Sequence, residues 1–345
     1  MHFQNTQVGF FYRQFFLRPP ALPATLSLAG QTAIVTGSNT GLGYSASLQL
    51  LSAGLSRLIL AVRSVSKGEA AKQTLLSAIA ASNKRLEPTI EVWALDLGDY
   101  ASVTAFTTRL EASPFRVDFA ILNAGVAIFE YSLNPITKHE TCYQTNWLST
   151  ALLTIQLRDV LQKQYISSGS SGKPPVISIV GSETAAYAKF VEGKVAQETQ
   201  NSVIATLDDR SHYHGMDRYF VSKLLLQCFF AEYFARLPEE NRVVLNMVNP
   251  GFCWGTEIHR SVDGPLAIIV GALKRVIGRS VDVGARTLAH GGAVADVESS
   301  GKYLSDCRVT VFADYIDTKE GLMMRKKLWV ELTEELQGIV DLTKV

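Results

Sequence analysis

Residues 32–43 read Thr32-Ala33-Ile34-Val35-Thr36-Gly37-Ser38-Asn39-Thr40-Gly41-Leu42-Gly43. The first five are small or β-branched and run without polar alternation, the pattern of a strand buried on both faces. Glycines then cluster, and residues 41–53 continue as an amphipathic helix-length stretch. Glycines at a strand-to-helix turn allow a tight bend, close backbone approach to a pyrophosphate, and close packing of helix on strand. The amino end of the helix supplies free N–H groups and the positive end of its dipole. The stretch therefore predicts a phosphate-cradling turn built from Gly37, Ser38, Asn39, Thr40, Gly41, Leu42 and Gly43.

The same strand signal recurs at 57–62 (RLILAV), 90–95 (IEVWAL), 117–122 (VDFAIL), 176–180 (VISIV) and 243–248 (VVLNMV). Helix-length amphipathic stretches separate them, at 66–82, 99–112 and 217–237 among others. Alternation of this kind predicts right-handed βαβ units: an α/β fold with a parallel sheet and helices on both faces. The one low-complexity piece, 167–175 (SSGSSGKPP), reads as a surface connection. With no other linker, residues 28–345 are expected to form a single domain. Residues 1–27 stand apart, with Phe3, Phe10, Phe11, Tyr12, Phe15 and Phe16 followed by Pro19, Pro20 and Pro23. Arg13 interrupts the aromatic run, so it does not read as a signal peptide. An arm packed on the body is preferred over an interfacial membrane contact.

The 345 residues carry 33 basic and 32 acidic side chains, a formal net charge of +1. No basic excess exists to follow a nucleic-acid backbone. Cys142, Cys228, Cys253 and Cys307 are scattered without a pairing or zinc spacing, which fits a reducing, cytoplasmic setting. No apolar run is long enough to span a bilayer, so no integral membrane association is expected. No Asp, Glu or His spacing suggests a metal.

Further motifs follow in order. Asn123-Ala124-Gly125 ends the fourth predicted strand, and Asn146 lies in the following helix. Ser182 follows the strand at 176–180, Tyr219 and Lys223 form a Y-x-x-x-K pair, and Asn249-Pro250-Gly251 ends the sixth strand. Together with T-G-x-x-x-G-x-G at 36–43, this series over about residues 28–310 resembles the short-chain dehydrogenase/reductase family. The resemblance implies a Rossmann-type doubly wound sheet, a nicotinamide cofactor, and catalysis by Asn146, Ser182, Tyr219 and Lys223. It implies that Lys223 also holds the nicotinamide ribose and that Asn146 supports a water leading to Lys223. Tyr219 and Lys223, four apart, share a helix face. A phenol ionises near about pH 10, and the ammonium and an oxidised nicotinamide are expected to lower that value. Tyr219 would then exchange a proton with the substrate oxygen that Ser182 holds.

The second strand ends Ala61-Val62-Arg63-Ser64, without the carboxylate that grips a ribose 2′-OH. Arg63 instead suits a 2′-phosphate, so NADP(H) is expected. Asp96 and Leu97 resemble the family's adenine-binding pair, with a helix cap as the alternative for Asp96. By the resemblance, Asn123, Ala124, Gly125, Tyr219, Pro250 and Gly251 also touch the cofactor. The family's Thr or Ser five positions after the proline is here Gly255, which passes that role to Thr256.

Ser182 and Tyr219 are 37 positions apart, wider than usual for the family, and His212, Tyr213 and His214 in the extra stretch read as a solvated loop. A substrate lid is expected at about 252–281, where 265–278 (PLAIIVGALKRVIG) is apolar. Residues 61–69, 249–253 and 300–303, with the aromatic arm, resemble the retinol-dehydrogenase-like branch and fungal natural-product ketoreductases. The expected activity is NADPH-dependent reduction of an apolar ketone. The alternatives are oxidation of a retinoid- or steroid-like alcohol, or a non-catalytic nucleotide sensor.

Overall fold

The computed structural model describes residues 2–82, 86–170, 172–255 and 277–342. Thr256 and most of the stretch expected as a lid lie outside them. The strands are β1 (Thr32–Thr36), β2 (Arg57–Val62), β3 (Thr89–Ala94), β4 (Phe119–Leu122), β5 (Val176–Val180) and β6 (Val244–Asn249), then β7 (Cys253–Trp254), β8 (Arg279–Ser280), β9 (Tyr303–Ser305) and β10 (Arg308–Thr310). Eight of them form one sheet in the order β10-β9-β6-β5-β4-β1-β2-β3, while β7 and β8 pair separately. The sheet is parallel from β3 to β9.

The expected parallel sheet needs one correction at its edge, where β10 runs antiparallel to β9. Asp306 and Cys307 join the two strands with φ of 56° and 61°. Two left-handed residues in succession make the tight hairpin whose twist matches the sheet. β4 also begins two residues later than its apolar run, because the Val117 N–H turns to Gln164 Oε1 (3.1 Å).

The helices are α1 (Gln7–Phe16), α2 (Gly41–Ser52), α3 (Val65–Ala81), α4 (Tyr100–Glu111), α5 (Thr141–Tyr143), α6 (Ser149–Ser167), α7 (Val191–Glu198), α8 (Val203–Asp208), α9 (Gly215–Arg236), α10 (Val281–Ala293) and α11 (Lys319–Glu335). One core lies between the sheet and α4, α6, α9 and α11; the other lies under α2, α3 and α10. Ile34 points into the first, Ala33 and Val35 into the second. That division explains why β1 is apolar throughout: both of its faces are covered. The chain builds β1 to β3 outward and then returns to pair β4 with β1. Such a reversal opens a crevice beyond the carboxyl ends of β1 and β4, where α/β sheets bind ligands.

The arm packs on the body mostly without its aromatic rings, Phe10 against Phe252 being the exception. Thr6 caps α1 by accepting from the Gly9 N–H (3.0 Å), and Gly9 and Arg13 are the buried residues of this helix. Val8, Phe11, Tyr12, Phe15 and Phe16 form an exposed stripe at helical spacing. Among the described residues, no helix is long and apolar enough to cross a membrane.

Candidate active site

The crevice wall at β1 is shaped by close backbone approach. Gly37 and Gly41 have φ of 61° and 60°, a region that L side chains enter only with strain. A Cβ on Gly37 would lie 2.9 Å from Ala124 Cα, and one on Gly43 would lie 2.6 Å from Asn123 Nδ2. Asn123 Nδ2 donates to Thr36 O (2.9 Å) and Gly37 O (3.2 Å), and the Ala124 N–H donates to Thr36 Oγ1 (2.8 Å). The loop after β4 thus holds the turn after β1. Next to Gly41 the Cβ side is open. Ser38 Oγ is buried without a hydrogen-bond partner among the described residues. An open glycine, an unsatisfied buried hydroxyl and the amino end of α2 fit a dinucleotide pyrophosphate. Asn39, Thr40 and Leu42 lie on the same turn.

Arg63 is exposed at the end of β2 and has no ion-pair partner among the described residues. Ser64 beside it caps α3. Asp96 does not cap α4; Asp99 does, accepting from the Ala101 N–H (2.9 Å). Asp96 Oδ1 accepts from the Gly98 N–H (2.8 Å) instead, ordering the loop before buried Leu97.

The other wall gathers the four expected catalytic residues. Asn146 sits in a π-helical turn, Gln144–Leu148, a local irregularity that re-aims side chains. Its Oδ1 accepts from the Val126 N–H (2.9 Å), while Nδ2 donates to Val126 O (2.8 Å) and Ser222 Oγ (2.9 Å). Ser222 Oγ donates to Tyr219 O (2.7 Å), linking Asn146 to the turn of α9 that carries Tyr219 and Lys223. Lys223 Nζ, buried, donates to Val180 O (3.0 Å). A Cβ at Gly125 would meet Asn146 Oδ1 at 3.0 Å and Lys223 Nζ at 3.7 Å, so Gly125 leaves room where these groups converge. Ser182 Oγ accepts from the Thr184 N–H (3.2 Å), and Gln227 Nε2 donates to Ser182 O (3.2 Å).

The lowering of the Tyr219 pKa expected from the ammonium and an oxidised nicotinamide belongs to the cofactor-bound site; in the chain itself the shift runs upward. Burial pushes this phenol above its ordinary value, Cys142 adds to the rise, and the Ser182 hydroxyl only partly opposes it. Burial also lowers Lys223 to about 8. Burial dominates both shifts, favouring the protonated phenol and the neutral amine.

Gly251 has φ of 75°, and its N–H donates to Asn249 Oδ1 (3.1 Å), which shapes the turn at Pro250. Thr256, given the next role in this loop, lies outside the described residues.

The extra stretch after Ser182 is folded rather than loose, as α7, α8 and short 3₁₀ turns. His214 is exposed, whereas Tyr213 Oη donates to Ile128 O (3.0 Å). Arg218, next to Tyr219, is fully buried. It lies 2.9 Å from Glu192 Oε1 and 3.9 Å from Glu140 Oε2. Burial raises Glu140 to about 7, against the Cys142 and Tyr143 N–H groups and Arg218. Sequence reading missed Arg218, Glu192, Glu140 and the buried Arg13–Glu183 pair. A charge set inside an apolar or aromatic run is the signal that marks Arg13.

Residues 31–188 match the short chain dehydrogenase family. The short chain dehydrogenase virL of Hypocrea virens is 38% identical over 341 residues, covering 98% of this chain and 94% of that protein. The short chain dehydrogenase/reductase mfmJ of Annulohypoxylon moriforme is 33% identical, with 97% and 94% covered. Among solved structures, NADPH-dependent 3-quinuclidinone reductase from Rhodotorula rubra aligns with a TM-score of 0.57 at 20% identity, covering 84% of this chain and 96% of that one. A short-chain type dehydrogenase/reductase from Mycobacterium marinum gives 0.53 at 16%, covering 81% and 94%. At these identities the two structures speak for the fold.

Proposed function

The chain belongs to the short-chain dehydrogenase/reductase family of oxidoreductases, which use nicotinamide cofactors, and from that premise we propose that it reduces a ketone on an apolar, natural-product-like molecule with NADPH. The observation that carries this reading is the convergence of half-buried Ser182 and Tyr219 with buried Lys223 and Asn146, brought together from the end of β5, from α9 and from the π turn. NADPH, when bound, supplies the hydride. Tyr219 donates its phenolic proton to the substrate oxygen, and the burial that raises its pKa keeps the proton in place until then. Ser182 Oγ hydrogen-bonds the same oxygen and stabilises the charge developing there. Lys223, fixed on Val180 O, carries the positive charge that steadies the phenolate left behind. Asn146 locks the Val126 backbone beside it.

Arg63 supports NADP over NAD, because its exposed guanidinium stands where an NAD enzyme would carry a carboxylate. The apolar composition of 265–278 supports an apolar substrate. The test is Tyr219→Phe, which removes the acid and keeps the ring. Turnover of apolar ketones, followed by NADPH absorbance, should fall by about 10²–10⁴-fold while NADPH still binds. A folded variant with nearly the original rate would overturn the assignment.

A further inference from the structure

The inner face of α1 reaches both loops that bear the second wall of the site. Arg13, 7% exposed, pairs with Glu183, the residue directly after Ser182. Gln14 brackets the other loop: its Oε1 accepts from the Phe252 N–H (3.3 Å), and its Nε2 donates to Phe252 O (2.9 Å) and Ile277 O (3.1 Å). The two loops already share one acceptor, since Asn249 Oδ1 takes the N–H groups of Glu183 (3.3 Å) and Gly251 (3.1 Å). Arg279 holds the helix end, with Nη2 donating to Arg13 O (2.8 Å) and Leu17 O (3.0 Å), and Nη1 paired with Asp306 Oδ1 (2.5 Å). The fit is close, because a Cβ on Gly251 would lie 2.8 Å from both Gln14 Oε1 and Arg279 Nη1.

An arm serving only to add buried apolar area would turn its rings inward. Apart from Phe10, which meets Phe252, this one turns Val8, Phe11, Tyr12, Phe15 and Phe16 outward and ties α1 to the two loops through polar side chains. A buried ion pair gains little net stability, since desolvation offsets most of the attraction. What it does provide is a fixed geometry, and here that geometry belongs to the residues beside Ser182 and Pro250.

We infer that Arg13 and Gln14 are positioning residues of the active site: Arg13 orients Ser182 through Glu183, and Gln14 sets the cofactor-side loop 250–252. This rests on the reading of Ser182 and the 250–252 loop given above. Reacting groups tolerate little displacement, as a shift of about 1 Å costs on the order of 100-fold in rate.

The experiment uses the full chain. Arg13→Met should lower kcat about tenfold or more with NADPH affinity, read by fluorescence titration, nearly unchanged; Arg13→Lys should restore most of the rate. Gln14→Leu should do the reverse, weakening NADPH binding several-fold with a smaller effect on kcat. Phe16→Ser on the outer face should change neither. If Arg13→Met does not fold, Glu183→Gln, which keeps shape and an acceptor, decides by the same criterion. A folded Arg13→Met with unaltered kcat, or Arg13 and Gln14 variants that lower only the melting temperature, would overturn the inference. Ser182→Ala separates the two levels. If it retains turnover, the reading of Ser182 falls; if it loses turnover while Arg13→Met keeps it, only the arm's role falls.

Discussion

The turn after β1 and the loops after β5 and β6 face one crevice and are held there by opposite means. At the first, glycines bring backbone against backbone, Gly37 on Ala124 and Gly43 on Asn123, and the ties run between neighbouring strands. At the second, buried charges reach across the chain: Arg13 to Glu183 over 170 positions, Arg279 to the arm over 266. Arg218 with Glu192 and Glu140 holds the amino end of α9 in the same manner. A pyrophosphate is met by backbone N–H groups, so its site depends on residue size. Proton transfer needs a side chain at a set angle, so its site depends on partners that fix side chains. Chemistry of the ligand thus decides which kind of support each wall carries.

The comparison breaks first at Arg218. Arg218→Met leaves Glu192 and Glu140 buried without their cation, and should cost about 3–5 kcal/mol in denaturant unfolding, with Glu192→Gln restoring part of it. Loss below about 1 kcal/mol would mean that the ionic wall is no more dependent on its charges than a surface pair is.

On the glycine wall, an effect should appear in ligand preference rather than in stability. Arg63→Ala should weaken NADPH binding about tenfold, near 1.4 kcal/mol, leave NADH binding little altered, and hardly move the melting temperature. Tighter binding of NADH than NADPH by the unaltered chain would remove the basis for NADP.

The smallest effect sharpens the ionic side through pH. His139 Nδ1 meets Asp208 Oδ2 at 2.7 Å and Nε2 meets Glu335 Oε1 at 3.0 Å, tying α8 to α11. Burial works to lower its pKa, but hydrogen bonds and charges of Asp208 and Glu335 override that and raise it to about 9 from the ordinary 6.5. A raised histidine stabilises fully below about pH 6.5 and loses that contribution as pH rises through about 9. The melting temperature should therefore drop by a few degrees between those values, and His139→Gln should flatten that dependence.

Residues 32–43 alone determined the first βα unit, and the continuous apolar runs determined the parallel strands, because both signals are local: turn geometry follows glycine spacing and burial on two faces follows composition. Tyr219, Lys223, Ser182 and Asn146 came instead from the resemblance, as motifs in a set order along the chain, and the fold brings their elements to one wall of the crevice. Only the tertiary structure decided that α1 turns most of its rings outward, that β10 runs antiparallel, and that burial works to raise the Tyr219 pKa. It alone paired Arg13 with Glu183 and Arg218 with Glu192. A charge's partner and its desolvation depend on everything that encloses it, and what encloses these charges comes from segments far apart in the chain.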